Sequence, residues 1–217
     1  MRYPGLVPDN PFYAVKVSDP ARFTTAIRRF DEENARDPNT EIMDGAVHPR
    51  ELLYAKRLSD WVMKLAPDAS EELRLAARCQ HIARWLIPRT TYEMTRAGYL
   101  RWRSDLKAFH ARKAAEILRE AGYPPEIIQR VEELNLKKNF PKDPESRVLE
   151  DALCLVFLQY QLADLAARTA EDKIINALQK SWKKMTAAAR TLALQLSFAP
   201  REKALLEHAL QGAPPPK

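Results

Sequence analysis

The sequence predicts an all-α protein, and three observations predict it. Apolar residues recur at helical spacing through most of the chain, and no strand alternation is evident. Glycine is scarce (5 residues) while proline is frequent (16 residues), and the prolines fall at the ends of the periodic segments. The connections between segments are short, which implies a single compact bundle of about seven to eight helices.

The elements follow in order. Asp19-Pro20 opens a helix to about Asn34, with Phe23, Ile27 and Phe30 inward. Asp37 to Val47 reads as loop. Pro49 opens a second helix carrying Leu52, Leu53, Leu58, Trp61, Val62 and Leu65, ended by Ala66-Pro67-Asp68. Ser70 caps a third helix to about Leu86, before Pro88. After a basic and aromatic loop from Arg89 to Gly98, a long fourth helix runs from Tyr99 to Glu120 and stops at Ala121-Gly122. Pro124-Pro125 starts a fifth, with Ile127, Ile128, Val131 and Leu134. Asp143-Pro144 caps a sixth to about Arg168, a seventh spans Ala170 to Leu196, and a short helix runs from Pro200 to Leu210. The expected organisation is an N-terminal extension over 1–18, one helical domain over 19–210 and a disordered Pro-rich tail over 211–217.

Composition narrows the function classes. Thirty-five basic against 29 acidic residues give a net charge of +6, spread along the helices rather than gathered in one stripe. That pattern suits an anionic ligand better than a nucleic-acid groove. The two cysteines, Cys79 and Cys154, lie inside apolar stretches, as core thiols in a reducing compartment do. No apolar run reaches membrane-spanning length, and the N-terminus lacks a secretory segment, so a cytoplasmic location is expected.

The polar residues on apolar stripes carry the chemistry. His81 shares a helical row with Leu73, Ala77 and Trp85; His110 with Leu106, Ala114 and Ile117; Asp151 with Val148, Leu155, Leu158 and Leu162. His48 stands at the start of the second helix. Three of the four histidines and one carboxylate are therefore expected to face the core. A buried carboxylate needs a cation, and neutral imidazoles beside it point to a metal ion; the alternative is a set of separately hydrogen-bonded core residues. Between His81 and His110 lies a dense group of Arg84, Trp85, Arg89, Tyr92, Arg96, Tyr99, Trp102 and Arg103. Arginine forks grip phosphate and aromatic rings stack on flat ligands. The alternative is core aromatics with solvated arginines. Lys137 and Lys138 add positive charge from the fifth helix.

The order of these residues resembles the HD-domain superfamily of helical, metal-dependent phosphohydrolases. His48 with Arg50-Glu51-Leu52-Leu53 matches that family's first His. Ala76-Ala77-Arg78-Cys79-Gln80-His81-Ile82 resembles the helix bearing its His-Asp pair. Phe109-His110-Ala111 resembles a later His helix, and Leu149-Glu150-Asp151-Ala152 the final Asp. The diagnostic pair reads Gln80-His81 here, and His81 takes the place of a ligand. The resemblance implies one divalent transition metal (zinc, iron, manganese or nickel) on His48, His81, His110 and Asp151, with water completing the coordination. Nearer still, the chain is identified as a member of domain-of-unknown-function family 4202. The segments that carry this include His48-Pro49 with Glu51-Leu52-Leu53-Tyr54, Gln80-His81-Ile82 with Arg84-Trp85, Arg96 to Arg103, and Trp182-Lys183-Lys184-Met185. Family members are sometimes labelled glutamyl-tRNA synthetase-like; no Gly-rich strand–turn–helix for ATP supports that label here.

Together these readings predict a metal-dependent hydrolase of a phosphate-bearing small molecule or nucleotide. Glu150 or Gln80 would orient the water, and Arg84, Arg89, Tyr99, Trp102, Arg103 and Lys138 would hold the substrate. The alternatives are a non-catalytic nucleotide- or RNA-binding module, with RNA ranked below a small anion, and an iron-dependent oxygenase of HD-like fold.

Overall fold

The computed structural model describes residues 17–211, so nearly all of the expected tail and of the N-terminal extension lies outside the described residues. The described residues form ten α-helices and one two-stranded hairpin, grouped into two compact units, 17–140 and 141–211. The fold is predominantly α-helical, as expected.

The first unit opens with α1 (Pro20–Asn34), capped by Asp19, whose carboxylate accepts from the N–H groups of Ala21 and Arg22. Two short strands follow, β1 (Thr40–Met43) and β2 (Ala46–Pro49), paired antiparallel with Glu41 opposite His48. This corrects the expected loop. The turn residues Asp44 and Gly45 both have positive φ, 52° and 76°, which matches the twist of a tight hairpin. Helices α2 (Arg50–Leu65) and α3 (Glu71–Cys79) pack on each other and on α1. Arg78 of α3 forks onto Asp31 of α1 at 2.6 and 2.7 Å. Helix α4 (Arg96–Glu120) starts at a Thr95 cap and packs on α5 (Pro125–Leu136). Phe23, Ile27, Phe30, Leu58, Leu75 and Leu118 are essentially inaccessible, each burial contributing about 1.5–3 kcal/mol.

The predicted third helix is shorter than its apolar period suggests. It ends at Cys79, and the chain turns through Ala83, whose φ is +51°. Long-range side chains satisfy the freed backbone: Asn34 Oδ1 accepts the Ala83 N–H at 3.0 Å, and the His110 ring meets the Ile82 carbonyl at 2.7 Å.

The second unit contains α6 (Pro144–Val156), a π-helical turn (Phe157–Gln161), α7 (Leu162–Arg168), α8 (Glu171–Lys184), α9 (Ala187–Leu194) and α10 (Pro200–Leu210). Two helices predicted as continuous are thus interrupted, which accounts for ten helices rather than eight. Leu149, Leu155, Leu162, Ile174 and Leu178 form its interior. No helix among the described residues is long and apolar enough to cross a membrane.

Candidate functional site

The site grows from the junction of β2 and α2. Proline occupies the N-cap of α2 and offers no side-chain acceptor, so Asp37 supplies one from a distance. Its Oδ2 accepts the Glu51 N–H at 3.0 Å, while Oδ1 accepts from Asn39. Glu51 is thereby fixed in the first turn with its side chain turned inward, 8% exposed. Burial pushes its carboxyl up to about 7, and Arg84 opposes that rise.

His81, in the turn after α3, stacks on Tyr54 of α2 with ring centroids 4.1 Å apart and 11° between planes. Its Nδ1 is 3.5 Å from Glu51 Oε2, and Arg84 Nε is 3.7 Å from Glu51 Oε1. Burial holds the His81 imidazole well below its ordinary value, and Arg84, Lys137 and Arg103 press it further. The His110 ring, from α4, has its centroid 5.7 Å from that of His81. A carbonyl can only accept, so the contact with Ile82 O places the His110 proton on Nδ1. Nε2 then carries the lone pair, and it is buried without a partner. Burial, with His81 beside it, holds His110 down to about 3, so both rings are neutral at neutral pH.

The basic and aromatic loop borders this pair. The Arg84 guanidinium lies 5.0 Å from the Trp102 ring centroid, and Trp102 donates its indole N–H to the Ile87 carbonyl at 2.9 Å. Tyr99 tilts against Trp102, and Arg103 sits over Tyr99. Arg89 is engaged within its own loop, donating to the carbonyls of Tyr92, Glu93 and Thr95. Gln80 is buried with Oε1 unpartnered. Lys138 is exposed just beyond α5.

The structure therefore brings His81, His110, Arg84, Tyr99, Trp102 and Arg103 into one connected region of the first unit. Two placements differ from expectation: His81 sits in a turn rather than on a helix, and His48 sits on β2, partly exposed, rather than opening α2. Among the described residues, no group of three or more His, Cys, Asp or Glu side chains is arranged to hold a metal ion. In the second unit, Asp151 accepts from the Thr186 N–H at 2.9 Å and the Thr186 hydroxyl at 2.5 Å, at the start of α9. Burial raises its carboxyl, and the Thr186 bonds oppose that. Glu150 is buried and accepts from Lys184 Nζ at 2.9 Å.

Sequence reasoning passed over Glu51 and Tyr54 as site residues. The signal was present, because Glu51, Tyr54, Leu58 and Val62 share one apolar row, the pattern that singled out His81.

No curated protein and no solved structure matches the chain. The family model described as "Domain of unknown function (DUF4202)" matches residues 24–206. The chain belongs to that family.

Proposed function

We propose that this protein binds a phosphate-bearing small molecule at the His81–His110 site and hydrolyses it with one divalent transition metal held by the two imidazoles. One observation carries the reading: two neutral imidazoles, each with Nδ1 facing a protein acceptor, stand side by side among Arg84, Arg103 and Lys137. Metal-ligating histidines typically direct one ring nitrogen to a carbonyl or carboxylate and present the other. Two His Nε2 lone pairs are donors that a zinc-, iron-, manganese- or nickel-type ion accepts, with Glu51 behind His81 at its Nδ1. Such an ion, when bound, activates water and polarises a phosphoryl oxygen.

The chain's own groups supply the rest. Arg84 and Arg103 bind phosphate oxygens, Tyr99 and Trp102 offer flat faces to a base or sugar, and Lys138 adds charge. Gln80 Oε1, buried and unpartnered, accepts from a water and orients it. Asp151 and Glu150 are engaged by Thr186 and Lys184, so the reading gives them no direct step.

The test is metal analysis of protein purified without a His tag, followed by hydrolysis of phosphomonoesters and nucleotides with and without chelator. Stoichiometric metal, with hydrolysis abolished by His81→Ala and by chelation, is expected; Arg84→Ala should raise KM about tenfold, or about 1.4 kcal/mol. Metal-free protein in which His81→Ala leaves hydrolysis intact would overturn the reading.

The cations around His81 also suit a purely binding role, since they attract an anion without metal. Nucleotide-dependent thermal stabilisation that EDTA leaves unchanged, with no turnover, would favour this binding module. RNA as the ligand would add a steep loss of affinity with salt.

A further inference from the structure

We infer that Glu51 is the positioning residue of this site, one carboxylate oxygen orienting the His81 imidazole and the other the Arg84 guanidinium. The inference rests on His81 and Arg84 being site residues, but not on which ligand they meet.

Four observations carry it. First, the two oxygens of Glu51 face different partners: Oε2 lies 3.5 Å from His81 Nδ1 and Oε1 lies 3.7 Å from Arg84 Nε. Both gaps are longer than a hydrogen bond and within reach of one through a small side-chain rotation. Second, Oε2 is buried with no hydrogen bond. A buried acceptor without a donor is under-satisfied, and the His81 ring, 3.5 Å away, can supply a proton to it. Third, Glu51 cannot drift away from this position. Its backbone N–H is tied to Asp37 Oδ2 at 3.0 Å, and Asp37 is itself buried. Fourth, His81 has its ring plane set by stacking on Tyr54, one helical turn beyond Glu51 on α2. The stack fixes the plane of the ring and leaves open which nitrogen carries the proton; a carboxylate at Nδ1 settles that choice.

The consequence is a matched pair of imidazoles. Ile82 O holds the proton of His110 on Nδ1, and an ionised Glu51 holds that of His81 on Nδ1. Each ring then offers its Nε2 lone pair. Free imidazole side chains favour the opposite tautomer, so the arrangement is imposed by the protein. The same carboxylate keeps the Arg84 fork turned toward the imidazole rather than free in solvent. Without it, the guanidinium retains only its contact with the Trp102 face.

The test reads the tautomer directly. Long-range 1H–15N spectra of the histidine rings are recorded on full-length, 15N-labelled, chelator-treated protein at pH 8.5. Wild type should show His81 and His110 both protonated on Nδ1. Glu51→Gln should keep His81 on Nδ1, because the amide oxygen accepts in the same place, whereas Glu51→Leu should move the His81 proton to Nε2. His110 is the internal control for folding, since Ile82 fixes it in every variant. Wild-type His81 protonated on Nε2 would overturn the inference, as would an unchanged His81 in a Glu51→Leu protein whose His110 signature is intact. If Glu51→Leu loses the His110 signature, the wild-type and Glu51→Gln spectra decide alone. Zinc titration of the same samples separates this inference from the functional reading. Affinity falling 10–100-fold in Glu51→Leu is expected if the pair holds metal. Wild type that shows the predicted tautomers yet binds no zinc would sink the metal reading and leave the role of Glu51 standing.

Discussion

His110 and Glu51 shift the proton balance of folding in opposite directions. His110 has an ordinary value of 6.5 and is held down to about 3, chiefly by burial. Below pH 6.5 the unfolded chain takes a proton that the fold refuses, so the His110 contribution is full above 6.5 and is lost as pH falls toward 3. Glu51 rises from 4.5 to about 7, so its contribution is present below 4.5 and is lost as pH rises through 7. Between 4.5 and 6.5 the two effects oppose each other. In that window, stability of the Glu51→Gln protein is expected to fall with decreasing pH more steeply than wild type. The difference should be up to about 1.4 kcal/mol per pH unit. Urea midpoints of chelator-treated protein measure it, and parallel slopes would refute it.

Breaks in two predicted helices, after Cys79 and between α8 and α9, are held by polar side chains from elsewhere in the same unit. After Cys79, the turn depends on Asn34 accepting from Ala83 N–H. Asn34→Ala should cost about 1–3 kcal/mol, the penalty for a buried unsatisfied donor, and should broaden the ring signals of His81 and His110. A change below about 0.5 kcal/mol in denaturant melts would mean that the turn is set otherwise. Between α8 and α9, Asp151 accepts from both the backbone and the hydroxyl of Thr186. Asp151→Ala and Thr186→Val are each expected to destabilise by about 1–2 kcal/mol, with a coupling near 1 kcal/mol in a double-mutant cycle. Additive effects, together with a loss of metal affinity in Asp151→Ala, would instead restore the ligand role that the resemblance implied for this residue.

Each compact unit contains one cysteine, and both thiols are buried. Burial pushes the Cys79 thiol up to about 12, and Asn135 contacts its sulfur at 3.1 Å. Thiolate reagents should therefore leave the native protein unlabelled at pH 8. Under rising denaturant, mass spectrometry should find Cys79 labelled as the first unit opens and Cys154 as the second opens. Stoichiometric labelling of Cys79 without denaturant would contradict that burial. Most helix starts were legible because they are local chemistry: Asp19, Ser70 and Asp143 cap their own helices, and Pro125 and Pro200 sit in first turns. The hairpin at Asp44-Gly45 was read as loop, because two strands of four residues each are too short to establish a period against their turn-rich surroundings. By itself, the sequence determined the helical class, the family, and the inward placement of His110 and Asp151, because periodicity and caps act over a few residues. Only the tertiary structure decided where the long periodic stretches break and which groups meet. At those points a hydrogen bond from Asn34, His110 or Asp151 outweighs the local preference to continue a helix. Glu51 faces His81 only because Asp37 and Asn34 fix two turns that are distant from it in sequence.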